Sequence, residues 1–500
     1  MGGQGATARA CLEQAAAGLT WASAPVDDAR NDHSRPRPTE TPDTMSSFPV
    51  ASEIQAFRSR HPDVTAVDVL LPDLCGVFRG KRVPMDELGK VWTDGVAFPG
   101  CTFAVDITGE TIEATGLSIA RGVPDRPCLP VPGTLAPVPW AGRPHGQLLL
   151  SMREPGGGPF PHAPRSLVER LVAELAGRGL TPVIALELEF YLLAPDRQPD
   201  APPRPPVSPK SGLPQDRTQV YGLAELEDFE AVLDDITAAC RAQGIPAGTA
   251  IAEYGPGQYE ITLSHVPDAL RAADDAVLFK RVVRGVARRH GLDATFMAKP
   301  YADQASSGLH VHMSVLDRDG RNIFAADDPA GSVSLRHAIG GLAATMPDAM
   351  ALAAPGANSW RRFQAGSYAP TVVAWGVNNR TAPLRIPAGP PESRRVEYRI
   401  AGADANPYLV VAALLAGLLH GLDNRIDPGP PTEGNAYDAE APRLPRSWDA
   451  ALDLFAASAP LRRWLGGPFV DTYRITKEAE LEKFAAAVTP LEYAWYLRTA

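Results

Sequence analysis

The chain has 500 residues, of which 45% are hydrophobic and 21% charged, and its formal net charge is -10. A chain of this length ordinarily forms roughly two to four domains, and the composition is that of a globular protein with a large core. The acidic balance argues against nucleic acid as a partner, because phosphate backbones are bound by basic surfaces. It favours a protein that handles small molecules and cations.

The cysteines and the apolar runs indicate where the protein works. The five cysteines are scattered, and none is spaced like a metal ligand or a redox pair, so we expect reduced thiols. The most apolar run, Tyr408–Leu419, is shorter than the about 20 residues of a membrane span, and the N-terminus lacks the apolar block of a secretory signal. The sequence therefore predicts a cytoplasmic protein without membrane contact.

Residues 1–47 differ in composition from the rest of the chain. Asp27–Thr44 is dense in Pro, Asp, Arg, Ser and Thr and nearly free of large apolar residues. Such a stretch cannot bury enough apolar surface to offset the entropy lost on ordering, so we predict a disordered extension. Met45 is an alternative start of the protein, and the sequence leaves this open.

Regular structure is predicted from Ala51 onward. Val67–Leu71 is rich in Val and Leu and predicts a buried strand. The proline-rich stretch Pro124–Pro164 includes Gly156–Gly158, which indicates an irregular connection and a domain boundary near residue 155. Residues 196–216 are also proline-rich and are predicted to form a loop.

Three helices are marked by their ends. Ser166 and Glu169 are spaced as a capping box, which predicts a helix that begins there and ends at Gly177 and Gly179. A second helix is predicted over 267–290. A third begins at Asn406, a cap residue followed by proline at the first helical position.

The predicted strand Val183–Leu192 carries two carboxylates in an apolar setting. Alternation places Glu187 and Glu189 on one face and the apolar side chains on the other. Two like charges about 7 Å apart repel each other unless a cation lies beside them. A solvent-facing edge strand is the alternative, and the apolar flanks argue against it.

Two further stretches offer possible metal ligands. Glu253 and Glu260 bracket a Gly-Pro-Gly turn that could bring both carboxylates together, although two surface glutamates beside a turn would give the same pattern. His310 and His312 alternate on one face of an apolar strand. A metal ligand and a satisfied core histidine are about equally compatible with that pattern.

Arginines are concentrated in the predicted strand over 394–400 and just before it. Arg395, Glu397 and Arg399 share one face of that strand, and Arg380 and Arg385 lie upstream. An ion-pair ladder would explain the strand alone. The number of guanidinium groups in so short a stretch favours binding of phosphate and carboxylate groups instead.

These charged strands together predict phosphoryl transfer. Carboxylates with one or two imidazoles suit Mg²⁺ or Mn²⁺ better than Zn²⁺. Paired divalent ions and arginines stabilise the charge of a transferring phosphoryl group. Neither a Walker-type loop nor a kinase signature occurs in the sequence, so the nucleotide is expected to bind in another fold.

The chain resembles the glutamine synthetase family over roughly residues 62–500. The motifs that carry the resemblance occur in the family's order. They are Leu186–Phe190, Glu253–Glu260, Lys299–Pro300, Ser307–His312, Asn379–Pro387, Arg394–Arg399 and Asn406–Leu409.

The resemblance implies a fold and an assembly. The expected fold is α+β, with a small N-terminal β-grasp domain over residues 48–155 and a large catalytic domain of glutamine synthetase type over residues 156–500. Active sites would form between neighbouring subunits of a ring, and two rings would stack into a homo-oligomer, a dodecamer. The partners would otherwise be small-molecule substrates: glutamate, an amine and ATP.

The resemblance also implies roles for individual residues. Glu189, Glu253 and Glu260 would hold one divalent metal, and Glu187, His310 and Glu397 the other. The nucleotide-binding positions would be His312, Ser314, Arg385 and Arg395. Arg362 and Arg399 would bind the glutamate carboxylates, and Arg380 would lie near the transferred phosphate. The reaction would pass through γ-glutamyl phosphate, which an amine then attacks.

The sequence departs from ammonium-using members of the family at two positions. Pro99 stands at the aspartate that binds ammonium, and Tyr368 at the glutamate that helps to deprotonate it. Neither residue supplies an anion, whereas an alkylamine could make a cation–π contact with Tyr368. The stretches Ser367–Pro370, Trp375–Thr381 and Ala401–Tyr408 resemble the γ-glutamylpolyamine synthetases of the family, which favours a polyamine such as putrescine. Ethanolamine or another alkylamine, ammonium, and a non-catalytic structural or sensing relative are the alternatives.

Three other positions leave questions open. Ala305 and Ser306 replace the family's usual Asn-Gly, so a contact of Ser306 with the glutamate amino group is an expectation only. Glu392 stands where many members have a nucleotide-contacting lysine. Tyr437 lies in a region where some relatives carry an adenylylated tyrosine, and an ordinary surface tyrosine is the alternative.

Overall fold

The computed structural model describes residues 50–196, 201–217, 219–364 and 366–500. The predicted extension over residues 1–47 lies outside these residues. Helices and two sheets alternate irregularly along the chain, so the predicted α+β class is confirmed. Two buried clusters, described below, provide the core.

A six-stranded sheet is built from the first part of the described chain, with strand order β2-β1-β6-β4-β3 and β5 paired to β6. Its strands are β1 Ala66–Pro72, β2 Phe78–Pro84, β3 Val96–Pro99, β4 Asp125–Pro130, β5 Ala136–Pro137 and β6 Gly146–Met152. Val67, Val69 and Leu148 are buried on one face in the smaller apolar cluster. Leu70 and Leu149 alternate with them and belong to the larger cluster, so this sheet is covered on both faces.

An eight-stranded sheet carries the motif strands, with order β12-β13-β14-β11-β7-β9-β8 and β10 paired to β7. These strands are β7 Thr181–Leu193, β8 Ala247–Ala252, β9 Gln258–Val266, β10 Asp293–Thr295, β11 Leu309–Leu316, β12 Trp375–Val377, β13 Leu384–Ile386 and β14 Val396–Tyr398. The pairs are antiparallel except for β12 with β13. Residues directly opposite each other in such pairs share one face, which aligns side chains that are far apart in sequence.

The helices lie between and beside the strands along the chain. They are α1 Val50–Arg60, α2 Leu88–Asp94, α3 Pro164–Gly177, α4 Leu223–Asp228, α5 Glu230–Ala242, α6 Ala269–Arg289, α7 Val333–Ala353, α8 Pro407–Asn424, α9 Trp448–Ala457, α10 Ala459–Leu465, α11 Gly467–Ala485 and α12 Pro490–Tyr496. Leu186, Leu188 and Phe190 of β7 are buried with α6 and α8 in the larger cluster. The apolar face of β7 therefore packs into the core, and its other face is left for Glu187 and Glu189.

One helix among the described residues, α8, is long and apolar enough to cross a membrane. Of its most apolar window, 78% is buried inside the protein. Burial of this kind is typical of the central helix of a large core.

Several predicted elements are confirmed and two need correction. The strand at Val67–Leu71 and the cap at Asn406, which accepts from the Tyr408 amide, are as predicted. The capping box is wrong: α3 begins at Pro164, and Ser166 is a buried residue inside it without a capping hydrogen bond. Pro at the first position, with its fixed φ, starts the helix instead. The strand predicted over 394–400 is shorter, Val396–Tyr398. The domain boundary near residue 155 stays a prediction.

Candidate active site

Strand register brings the predicted ligands onto one face of the eight-stranded sheet. His310 lies opposite Glu187, and Glu260 lies opposite Glu189. Glu397 of β14 lies opposite His312 of β11. These residues come from four strands, and their alignment follows from cross-strand pairing rather than from closeness in sequence.

Glu187 is the centre of this row of side chains. Its Oε1 lies 2.9 Å from Nε2 of His312, and its Oε2 lies 3.3 Å from Nδ1 of His310. Two groups of potential ligand atoms have all members within 4.8 Å of one another. They are Glu187 with His312 and Glu397, and Glu187 with Glu260 and His310. Both groups can accept a divalent cation from the oxygen and imidazole donors they present.

Glu189 and Glu253 extend the row at its other end. Glu189 Oε2 accepts hydrogen bonds from the Gly308 amide at 2.8 Å and from Nε2 of Gln258 at 3.2 Å. Glu253 follows β8 directly, and its amide donates to the Gln258 carbonyl at 2.9 Å. The turn between β8 and β9 therefore places Glu253 beside Glu260, as the sequence suggested.

The carboxylates repel one another at one end of the row. Burial, and then the charges of Glu187, Glu189 and Glu253, raise the pKa of Glu260 well above its usual value. Burial, and then the charge of Glu189, raise the pKa of Glu253 to about 8. A pocket that holds several buried carboxylates at neutral pH requires compensating positive charge.

At the other end, positive side chains are already present. Burial acts to raise the pKa of Glu187, but the charge of His312 and the hydrogen bond with His310 hold it well below its usual range. Burial has the same effect on Glu397, where the charges of Arg399 and His312 lower the pKa further than burial raises it. The row thus joins an end where carboxylates repel one another to an end where arginines balance the carboxylate charge.

These observations fit the pair of divalent cations that the sequence motifs imply. The mutual repulsion that raises the pKa of Glu253 and Glu260 is the condition that a bound cation relieves. The donors are carboxylates with two imidazoles, which suit Mg²⁺ or Mn²⁺. The expected pairing of Glu187, His310 and Glu397 differs from the observed groups, in which His312 accompanies Glu397. Assignment of individual ligands to individual ions stays a prediction.

Arginines surround Glu397. Nη1 of Arg385 donates to Glu397 Oε2 at 2.7 Å, and Arg399 donates to Glu397 Oε1. Nε of Arg395 donates to Nδ1 of His312 at 3.2 Å. Nη2 of Arg385 donates to Oδ1 of Asn378, a residue that the sequence did not single out. The arginine-rich stretch therefore borders the acidic row, as phosphate and carboxylate binding would require.

Arg362 and Arg380 approach the row differently. Arg362 is 3% exposed, and Nη1 donates to the Ile400 carbonyl at 3.0 Å. Arg380 is exposed in a turn, and its charge acts to lower the pKa of Glu253. Arg362 is therefore a buried cation, whereas Arg380 is an exposed cation whose charge acts on the acidic end.

Tyrosines border the acidic end. The rings of Tyr254 and Tyr368 are stacked, with centroids 6.0 Å apart and an interplanar angle of 28°. A third tyrosine, Tyr221, lies nearby: its amide donates a hydrogen bond of 2.9 Å to the carbonyl of Ala252, the residue directly before Glu253. Tyr221 and Tyr368 have left-handed φ angles of 62° and 59°. Such angles are uncommon for non-glycine residues and cluster at binding sites.

The remaining predicted residues are connected to the row through other residues or lie elsewhere in the fold. Ser314 lies on the same strand face as His310 and His312, two residues further along β11. The carbonyl of Ser306 accepts from Nε2 of Gln258 at 3.0 Å. Pro99 ends β3 in the other sheet. The Tyr437 hydroxyl donates to the Ala369 carbonyl at 3.0 Å, which connects it to the segment that carries Tyr368.

Sequence reasoning missed Gln258 and Tyr254. Gln258 spans the site, because its amide contacts Glu189 and Ser306 while its Oε1 accepts from the Gly255 amide at 2.9 Å. Its place inside the Gly-Pro-Gly-Gln turn between two glutamates was the available signal. Tyr254 lies in the same stretch, but its stacking on Tyr368 joins segments more than a hundred residues apart and could not be predicted from the stretch itself.

The fold and the site define an α+β protein with a row of carboxylates and imidazoles flanked by arginines. The catalytic domain family of glutamine synthetase matches residues 161–496. The chain belongs to the glutamine synthetase family.

Individual relatives agree with this assignment. The chain is 45% identical to γ-glutamylputrescine synthetase PuuA of Escherichia coli, over 90% of this chain and 95% of that protein. It is 32% identical to glutamate–isopropylamine ligase of a Pseudomonas species, over 89% of this chain and 97% of that protein. A solved GmaS/ADP complex superimposes with a TM-score of 0.76 at 28% identity, over 89% of this chain and 99% of that one. The resemblance stated from the motifs is confirmed.

Proposed function

We propose that this protein is an ATP-dependent ligase that joins the γ-carboxylate of glutamate to the amino group of an alkylamine, with a polyamine such as putrescine as the favoured acceptor. The observation that carries the proposal is the row of carboxylates and imidazoles on one sheet face, bordered by arginines on one side and tyrosines on the other. The relative that shares 45% identity is named for putrescine, and another is named for isopropylamine.

Activation of the carboxylate explains the charged residues. A carboxylate is a poor electrophile at neutral pH, so its γ-oxygen first takes the terminal phosphoryl group of ATP to give γ-glutamyl phosphate. Arg362 and Arg399 are proposed to bind the glutamate carboxylates, with Ser306 near the amino group. Arg380 lies beside Glu253 and is proposed to stabilise the transferring phosphoryl group.

The nucleotide side of the site is proposed to consist of side chains from β11, β13 and β14. His312, Ser314, Arg385 and Arg395 are the residues in question, and three of them are connected to the row through the contacts described above. The arginines present several N–H donors in fixed geometry, which suits phosphate oxygens.

Two divalent cations per site, Mg²⁺ or Mn²⁺, are proposed to be held by the row. The ligands would be Glu187, Glu189, Glu253, Glu260, His310 and Glu397. When bound, such ions would neutralise charge on the transferring phosphoryl group. The chain's own residues orient the reactants around them.

The amine is proposed to bind at the tyrosine end. In the second step, the reacting amino group, after losing a proton to solvent, attacks the acyl carbon through its lone pair. The C–O bond to phosphate breaks, phosphate leaves, and the amide nitrogen releases its extra proton. Tyr368 and Tyr254 present stacked, half-exposed rings there, which can hold an alkylammonium group by cation–π contact and cover its methylene groups. Ammonium has no methylene groups to cover, so these rings favour the larger amine.

A homo-oligomer, a dodecamer in the cytoplasm, is proposed as the working form. The last helix, α12, leaves Leu491, Tyr493 and Trp495 more than half exposed. Exposed apolar residues on a terminal helix indicate contact with another chain, and a second copy is the proposed partner. In such an assembly, Pro99 is proposed to lie beside the amine pocket of a neighbouring subunit.

The proposal is tested by phosphate release with ATP, glutamate and a panel of amines that includes putrescine, ethanolamine, isopropylamine and ammonium. We expect an alkylamine to drive turnover and ammonium to have little effect. Faster turnover with ammonium would show that the protein is a glutamine synthetase, and no turnover with any acceptor would favour a non-catalytic relative.

A matched pair of variants separates the site from the rest of the protein. Glu397→Ala removes the carboxylate that contacts Arg385 and Arg399, and it should abolish turnover with every acceptor. Glu440→Ala changes an exposed carboxylate outside the row and should leave turnover unchanged. Activity that survives the first change would contradict the proposed metal site.

A further inference from the structure

Arg362 is a buried cation whose own contacts do not balance its charge. Nη1 of Arg362 donates to the Ile400 carbonyl. Nε of Arg362 is buried and finds no hydrogen-bond partner among the described residues. Burial lowers the pKa of Arg362. A buried guanidinium in such a setting is stable only if a nearby anion compensates for the loss of solvent.

Asp404 supplies that anion. A Cβ atom placed on Gly402 would stand 2.3 Å from Oδ1 of Asp404 and 3.4 Å from Nη1 of Arg362, so both groups lie against the same glycine. Among the charges that act on Arg362, that of Asp404 raises its pKa most. Oδ1 of Asp404 is buried and has no hydrogen-bond partner within the described part of the chain, which leaves it available as a counter-charge.

Asp404 also holds the turn that carries Arg362. Its Oδ2 accepts from the Ser359 hydroxyl at 2.5 Å, and the Ser359 Oγ accepts from the Gly356 amide at 3.1 Å. Ser359 and Arg362 are the two ends of one short 3₁₀ helix, Ser359–Arg362. The carboxylate is therefore hydrogen-bonded to one end of this turn, and Arg362 is at the other end.

The free side of Arg362 points toward the acidic row. A Cβ atom on Gly308 would lie 3.4 Å from Nη2 of Arg362, 3.4 Å from Oε1 of Glu189 and 3.1 Å from Nε2 of His310. Arg362 thus reaches the row past a glycine that leaves room for it, while Asp404 lies on its other side. A guanidinium held between a fixed anion and an open pocket is suited to bind a second anion from that pocket.

We propose that Asp404 is a positioning residue for glutamate, which holds Arg362 in place and aimed at the substrate carboxylate through the Ser359 turn. This inference rests on the proposed role of Arg362 in glutamate binding. The charge of Lys280 acts on Asp404 after that of Arg362. The Lys280 Nζ donates its hydrogen bond to the Ala405 carbonyl, at 2.7 Å.

The test separates charge from hydrogen bonding in the full-length protein. Asp404→Asn keeps an acceptor for Ser359 but removes the charge, and Ser359→Ala removes the hydrogen bond but keeps the charge. Arg361→Gln is the matched control, because Arg361 lies on the same turn and is exposed. The Michaelis constants for glutamate, ATP and putrescine are measured together with the melting temperature of each variant.

We expect Asp404→Asn to raise the KM for glutamate at least tenfold and to change the KM for ATP less than twofold, because the lost counter-charge concerns only the glutamate end. Ser359→Ala should raise the KM for glutamate about threefold, and Arg361→Gln should change neither constant. If Asp404→Asn leaves the KM for glutamate unchanged, or raises both constants equally, the positioning role is wrong.

Failure of this inference is distinguishable from failure of the proposed function. Wild-type protein that shows no turnover with glutamate and any amine would contradict the proposed function itself. If Asp404→Asn does not fold, Ser359→Ala decides the matter: an unchanged KM for glutamate in that variant overturns the role of the turn.

Discussion

In the absence of divalent cations, neutralising one carboxylate by substitution should change the free energy of unfolding in opposite directions at the two ends of the acidic row. The pKa of Glu253 is raised to about 8 by burial and then by the charge of Glu189. At Glu397 burial acts in the same sense, but the charges of Arg399 and His312 hold the pKa below its usual value. Glu253→Gln therefore removes a charge that neighbouring carboxylates repel. Glu397→Gln removes a charge that neighbouring cations attract.

The magnitudes follow from these shifts. One pKa unit corresponds to about 1.4 kcal/mol, so a rise from 4.5 to about 8 at Glu253 sets an upper bound of about 5 kcal/mol. Partial exposure and the shared repulsion with Glu189 reduce this, and we expect Glu253→Gln to stabilise the metal-free fold by about 2 kcal/mol. Loss of the Glu397 charge leaves Arg385 and Arg399 without their carboxylate, which costs about 3–5 kcal/mol.

The assay is denaturant unfolding in a chelator, repeated with Mn²⁺. The pH dependence has a defined sign, since the folded pKa of Glu253 lies above its ordinary value. Its contribution to stability is fully present below its ordinary pKa of 4.5 and is lost as the pH rises through about 8. Metal-free wild type should therefore lose stability over this range, and Glu253→Gln should lose less.

Addition of Mn²⁺ should stabilise the wild type most. Both variants lack a proposed ligand and should gain less stability from the cation. If both variants shift stability in the same direction in chelator, or if Glu253→Gln keeps the full gain with Mn²⁺, the electrostatic account of the row is wrong.

Three further outcomes are expected. Tyr254→Ala should raise the KM for putrescine about tenfold and leave the KM for ATP unchanged, because it removes one stacked ring; equal changes in both would contradict the amine site. Tyr368→Glu should increase phosphate release with ammonium relative to putrescine, since it supplies an anion; an unchanged ratio would argue against this position in acceptor choice. Deletion of residues 490–500 should reduce the mass measured by light scattering, whereas an unchanged mass would exclude α12 from assembly.

The sequence predicted the row because alternation on a strand is a local property. Glu187 with Glu189 and His310 with His312 could be placed on common faces from period-two spacing alone. The family resemblance supplied what spacing could not, namely that side chains from these separate strands would hold common metal ions. The register that sets Glu397 opposite His312 is visible only in the structure.

Other features escaped prediction for physical reasons. Ser166 has the spacing of a capping residue, but proline at the first helical position fixes φ and starts α3 two residues earlier. Tyr254 and Asp404 contact segments that are distant in sequence, and no local pattern reports such contacts. Composition, by contrast, was enough to predict an acidic protein that binds small molecules and cations.

The most direct test of the central claim follows oxygen from glutamate into phosphate. Glutamate labelled with ¹⁸O in its γ-carboxylate is incubated with ATP, putrescine and Mg²⁺, and the phosphate is analysed by mass spectrometry. Activation of the γ-carboxylate predicts one labelled oxygen in each phosphate released, together with γ-glutamylputrescine. Unlabelled phosphate, or phosphate released without formation of the amide, would contradict the account.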